Sequence, residues 1–313
     1  MVGLSRLSGA IRGAVRERSD DRLRATWRIC IPVTLFGVVT YGSALFLVFP
    51  LLRGLDVPVV TNVDLAITGV LGLVGSLAAL AVASRLDRRP FSGYGFGFSS
   101  RWWTDLVVGL VGGVLVSGTQ AAYGLLFAGS EIAGTFTGGS GEATVAAALL
   151  FLIGMTAIVL HEEFVFRSIL IPNIAEGVAS RGLSRRGAVV AALLGSSLLF
   201  VPFHWVGGVS IGESFLVQNL GYFLMGVVFA LPYVLTGEVA FSIGLHMAYN
   251  LGNAYLFGIV GVSEVVPSVL MIDHVTAASS ELLLVRICVG IVVVAGLLSL
   301  TRGEVSLDTG LAR

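Results

Sequence analysis

The feature that most constrains this chain is a series of apolar stretches, each about as long as a bilayer's hydrocarbon core is thick. Crossing that core takes about 20 apolar residues in a helix. The qualifying stretches run roughly over 29–52, 63–84, 105–128, 145–171, 188–208, 215–236, 238–258 and 283–300. A backbone surrounded by lipid must satisfy its own hydrogen bonds, so such stretches become helices. The expectation is an all-α, polytopic membrane protein with about eight transmembrane helices. Composition agrees, with 56% hydrophobic and only 12% charged residues, a balance outside the soluble globular range. No internal repeat, low-complexity tract or soluble domain interrupts the pattern.

The formal net charge of +0 hides an uneven distribution, because all 19 basic residues are arginine. Arg6, Arg12, Arg16, Arg18, Arg22, Arg24 and Arg28 precede the first stretch. Arg85, Arg88, Arg89 and Arg101 follow the second, Arg181, Arg185 and Arg186 follow the fourth, and Arg302 and Arg313 lie in the tail. The alternate loops hold Arg53 and a set of acidic residues, with Arg286 near the start of the last stretch as an exception. The positive-inside bias then predicts a multi-pass cell-membrane protein with both termini cytoplasmic. Three parts follow: an Arg-rich cytoplasmic segment (1–28) without a signal peptide's apolar core and cleavage site, one membrane domain (29–300) with its catalytic core at about 145–255, and a cytoplasmic tail (301–313). Trp102 and Trp103 are expected at the membrane interface, and the glycines of 109–118 are expected to allow close helix packing. Cys30 and Cys288 sit in apolar runs and read as small hydrophobes. The lipid bilayer is the expected partner, and no nucleic acid is.

Against this background, "HEEFVFR" at 161–167 is anomalous. A charge at the centre of a membrane helix costs about 3 kcal/mol on insertion scales, so these side chains must face the bundle interior and find partners. Glu163 and Arg167 are four apart with the acid first, the better order for an ion pair within one helix. Glu162 points about 100° away and has no cation on its own helix. Chemistry is therefore expected of Glu162, with Glu163 and Arg167 as its brace. Two further stretches carry polar groups at helical spacing: "FVPFH" sets Phe200 and His204 four apart beside Pro202, and "HMAYN" sets His246 and Asn250 four apart. Nothing structural calls for Glu162, His204, His246 and Asn250 together, since each must offset its desolvation. The assumed boundaries put His204 toward the outer half of its span and Glu162 toward the inner half of its own. His161 faces another way and reads as non-catalytic, and His274 reads as a solvated loop residue. "HEEFV" has Val165 where the zinc signature HExxH needs its second histidine.

The motifs "EEFVFR" (162–167), "FVPFH" (200–204) and "HMAYN" (246–250), in this order on three helices, resemble the EExxxR, FxxxH and HxxxN set of the CPBP family, the CAAX prenyl proteases and bacteriocin-processing proteins of the type II CAAX endopeptidase kind. The resemblance implies an intramembrane endopeptidase whose cavity opens toward the cytoplasm. Glu162 and His204 would activate a water, His246 and Asn250 would stabilise the oxyanion, and Glu163, Arg167 and Phe200 would support the site. The chemistry is coherent, because a carboxylate in a low-dielectric cavity is a stronger base than one in water and preorganised donors stabilise a developing oxyanion. Two mechanisms stay open: Glu162, His204 and His246 are a permissible zinc ligand set, as in a metalloprotease, and the family is also described as metal-independent glutamate peptidases. The implied substrate is a peptide, a membrane peptide or a prenylated CAAX-type protein. A proton-coupled carrier using Glu162, Glu163 and Arg167 as a relay, and a non-catalytic scaffold or immunity member of the same family, are the competing readings. "GGSG" at 138–141 resembles the GxSG of rhomboid serine proteases but sits in a Gly/Thr-rich loop, where a flexible connector is expected.

Overall fold

The computed structural model describes residues 15–16, 22–56, 61–137, 142–205, 215–259, 267–272, 280–303 and 305–312. Most of the segment 1–28, the GGSG sequence and His274 lie outside them. Among the described residues, 7 helices are long and apolar enough to cross a membrane, judged by length and composition. They are α1 (Ala25–Gly54), α2 (Thr61–Asp87), α3 (Ser100–Phe127), a continuous helix joining α4 (Glu142–Glu162) through a π-helical stretch (Glu163–Leu170) to α5 (Ile171–Ala179), then α6 (Arg185–Phe203), α7 (Phe215–Thr236) and α9 (Ser280–Arg302). Between α7 and α9 runs a shorter helix, α8 (Ala240–Leu251), which ends in a π turn (Gly252–Leu256). The chain is an all-α, multi-pass membrane protein. Its described strands, β1 (Ile132–Thr137) and β2 (Ser268–Ile272), form one antiparallel pair.

Two boundaries differ from expectation in ways that matter for the site. The fourth apolar stretch does not stop near 171 but continues to Ala179. Counting back from Ala179, Glu162 stands about 25 Å along its helix, while His204 stands about 28 Å along from Arg185, so the two share one depth. The apparent mismatch in height came from ending the fourth helix too early. The stretch at 238–258 is the other difference: with its π turn, α8 spans about 25 Å. Its residues Ala240, Phe241, Ser242, Ile243, Gly244 and Leu245 are all buried. A helix walled in by protein does not have to reach both membrane surfaces.

Glycine sets where α8 sits. A methyl group added at Gly109 or Gly113 of α3 would collide with the carbonyl oxygens of Phe241 or Leu245 on α8, and one added at Gly244 with that of Leu106. Backbone therefore lies on backbone, the close approach that small residues permit in membrane helices. The α2–α4 contact works alike: a Cβ at Gly154 would lie 2.7 Å from the Ala66 nitrogen.

Below the bundle end that carries the arginine-rich loops lies a packed core. Phe166, Ile169, Tyr233, Val234, Ala240 and Ile243 form part of one buried apolar cluster, and the C-terminal residues Leu311 and Ala312 fold back into it. Arg28, expected ahead of the first span, lies inside α1 and is fully buried. Its Nη1 donates to Glu176 at 2.7 Å and lies 3.6 Å from Asp87. Glu176 also pairs with Arg89, Tyr94 donates to Asp87, and Asn173 Nδ2 donates to Asp87 at 2.8 Å. The network ties α1, α2 and α5 together. Trp102, in the first turn of α3, is buried and donates Nε1–H to the Gly95 carbonyl at 2.9 Å, whereas Trp103 is exposed.

Candidate active site

Glu162 is the last residue of α4, and the π-helical stretch begins at Glu163. Wider, i→i+5 turns of this kind recur at functional sites because they re-aim side chains within a continuous helix. Here they separate two adjacent carboxylates. Glu163 is fully buried; its Oε2 lies 3.1 Å from Arg167 Nε, and its Oε1 lies 2.9 Å from His246 Nδ1. Glu162 instead lines a cavity of about 580 Å³, shared with Phe200 and His204 of the α6 end and with His246 and Asn250 of α8. Residues from the three motifs, far apart in sequence, thus meet in one chamber.

The histidines are held in defined orientations. His246 is sandwiched against the Phe229 ring, with centroids 4.0 Å apart and planes 16° from parallel. With Glu163 ionised, Nδ1–H is its donor to that carboxylate, which leaves Nε2 facing Glu162 Oε2 at 3.6 Å. This is the carboxylate–histidine support by which a buried group fixes a reactive imidazole's tautomer. His204 follows the last residue of α6, where Pro202 interrupts the helix, and its Nδ1 lies 3.0 Å from the Phe200 carbonyl. A carbonyl only accepts, so Nδ1 carries the proton here too and Nε2 is the nitrogen left for the chamber. Tyr222 of α7 stacks on the His204 ring at 4.1 Å. Among the described residues, Asn250 Nδ2 has the Met155 sulfur as its hydrogen-bond contact, at 3.5 Å.

Arg167 is buried; besides Glu163 it meets the Phe200 ring face, 5.2 Å from the centroid. Phe200 therefore packs between the buried cation and His204. His161 lies away from the chamber, against Phe36 at 5.3 Å between ring centroids.

The chamber extends beyond the stretch 145–255 expected to hold the catalytic core. Leu283 and Arg286 of α9 line it, and Arg286 Nη1 donates to Tyr249 at 2.8 Å and to Gln120 of α3 at 3.2 Å. Arg286 carried a signal in the sequence, a cation within an apolar run, but it reads there only as an exception to the topology pattern. Tyr222 and Phe229 gave no such signal, because aromatic residues on an apolar helix are ordinary. Among the described residues, no group of three or more His, Cys, Asp or Glu side chains is gathered closely enough to hold a metal ion. The engaged Nδ1 atoms leave Nε2 of each histidine free, as in most metal-ligating histidines, but as placed Glu162, His204 and His246 are not gathered into a metal-holding group, and no step is derived through a metal.

The cavity also has a direction. From Glu162 it runs toward the N-terminal ends of α4, α7 and α9 and the C-terminal ends of α6 and α8. That is the bundle end opposite the buried arginine network, and it carries the arginine-poor loops. The two expectations, arginine-rich loops inside and a cavity opening to the cytoplasm, therefore do not hold together.

Comparison with known proteins bears on this same region. Residues 144–252 match the family model described as type II CAAX prenyl endopeptidase Rce1-like, a stretch that contains all three motifs. No curated protein and no solved structure matches the chain. Over residues 144–252 the chain is therefore similar to the Rce1-like type II CAAX prenyl endopeptidases, in agreement with the resemblance carried by its three motifs.

Proposed function

We propose that this protein hydrolyses a peptide bond within the membrane by a water that Glu162 activates. The observation that carries the reading is the single chamber in which Glu162, His204, His246 and Asn250 converge from three helices. A water held there gives a proton to Glu162 as its oxygen attacks the substrate carbonyl carbon. The C–N bond then breaks, and the proton passes from Glu162 to the leaving amine, so a carboxyl and an amine product form and Glu162 is restored. His204 Nε2 accepts from the same water and orients it.

The resemblance implies one shared role for His246 and Asn250; the reading proposed here gives them different ones. A neutral His246 whose Nδ1–H is committed to Glu163 offers an acceptor at Nε2, not a donor. The Asn250 amide donates in any protonation state, and we assign it the oxyanion. His246 Nε2 accepts from Glu162 once that carboxylate has taken the water's proton, and Glu163, Arg167 and Phe200 support the arrangement from behind.

Purified protein assayed with a quenched fluorogenic peptide tests this reading. Wild type is expected to cleave, and Glu162→Gln to bind the peptide and leave it intact. A wild type without cleavage, or a variant that matches it, overturns the proposal.

A further inference from the structure

The conflict between the arginine bias and the cavity's direction has a physical resolution. Residues lining the cavity beyond Glu162, among them Met155, Gln218, Tyr222, Asn250 and Arg286, all lie on the arginine-poor side. Gln218, one turn into α7, is exposed as well as cavity-lining, which marks the mouth. In the other direction, the chamber floor is buried core: Phe166, Ile169, Tyr233 and Ile243 are at most 3% exposed. Behind that floor stands the ion network of Arg28, Asp87 and Glu176. The cavity at the arginine-rich end, lined by Asp87, Arg89 and Glu176, shares no lining residue with the chamber.

Which face is cytoplasmic is decided by arginine, not by the cavity. Short loops rich in Arg stay on the cytoplasmic side, and acidic residues contribute little to orientation. The loops after α2 and after α5 hold Arg88, Arg89 and Arg181, and the segment before α1 is richer still. The β1 and β2 region and the loop before α7 lie at the opposite end with scarcely a cation. We infer that the active chamber is entered from the non-cytoplasmic face, so that its substrate is a polypeptide segment presented at that surface and not a cytoplasmic prenylated tail. The substrate class rests on the endopeptidase reading above; the direction of entry stands without it.

The test uses the full chain in cells, with Cys30→Ser and Cys288→Ser removing both native thiols. Single cysteines are placed at the mouth (Gln218→Cys), on β1 at the same end (Ala133→Cys) and in the turn after α5 (Leu183→Cys). A membrane-impermeant maleimide is expected to label the first two in intact cells and the third only after permeabilisation. Sealed right-side-out vesicles given an impermeant fluorogenic peptide outside are expected to cleave it, and those carrying Glu162→Gln are not. Labelling in the reverse order, or cleavage that appears only once the vesicles are opened, overturns the inference and leaves the protease reading intact. Labelling as expected with no cleavage in sealed or opened vesicles establishes the direction of entry and sinks the protease reading. If Gln218→Cys fails to accumulate, Ala133→Cys against Leu183→Cys decides the orientation alone.

Discussion

Two buried polar clusters sit at different levels of this bundle, and they differ in how their charges are met. In the first, Arg28, Arg89, Asp87, Glu176, Tyr94 and Asn173 close on one another. In the second, Glu163 pairs with Arg167 and His246, but Glu162 is left facing the chamber, with His246 Nε2 at 3.6 Å, beyond hydrogen-bond length. Both clusters border a cavity, the first one of about 510 Å³. A cavity beside charged residues therefore does not mark a reactive site. What distinguishes the site proposed above is a carboxylate, Glu162, left facing its chamber.

The sharpest way to break this contrast is at Glu162. Glu162→Gln is expected to lower peptide cleavage by roughly 1,000-fold with the thermal unfolding midpoint unchanged. His204→Ala should cost about as much, and the double variant should be scarcely worse than either, because groups that serve one water are not additive. Multiplicative losses would separate the two residues. At the closed cluster the expectation inverts: Arg28→Ala should destabilise the protein by roughly 3–5 kcal/mol, since it leaves buried carboxylates uncompensated. Thermal unfolding in detergent reads this directly, and a variant as stable as wild type would show the network to be incidental. Arg167→Ala tests the border between the two kinds of cluster. It should cost both stability and rate, because Glu163 holds His246 as well as Arg167.

Smaller effects sharpen the comparison within the chamber. Asn250→Ala is expected to lower kcat by roughly 100-fold, with KM little changed, as for an oxyanion donor; a loss confined to KM would make Asn250 a substrate-binding residue. Tyr222→Ala removes the ring stacked on His204 and should reduce turnover by about tenfold at most, on the scale of one aromatic contact. Tyr222→Phe should restore it, since the ring and not the hydroxyl does the stacking.

Much of this was legible in the sequence for a simple reason. Lipid makes charge expensive, so Glu162, Glu163, Arg167, His204 and His246 stand out from their apolar surroundings. Residues that act through shape were not legible. Phe229 and Tyr222 hold the two imidazoles yet look like any lipid-facing aromatic. The π-helical geometry at Glu163–Leu170 leaves no mark in composition, and helix ends inside an apolar run have no punctuation, which is why the extension of the fourth helix to Ala179 was missed. Arg28 was misplaced because its environment reads as a loop until Asp87 and Glu176, from distant segments, are known to meet it.

The shortness of α8 has a consequence for how the protein meets different membranes. Helices that face lipid tilt or stretch the surrounding bilayer when their apolar length does not match its thickness. The helix bearing His246 and Asn250 has no such length to match: it is enclosed by protein and fastened to α3 backbone against backbone at Gly109 and Gly113. Mismatch strain then falls on the outer helices and not directly on the one that carries His246 and Asn250.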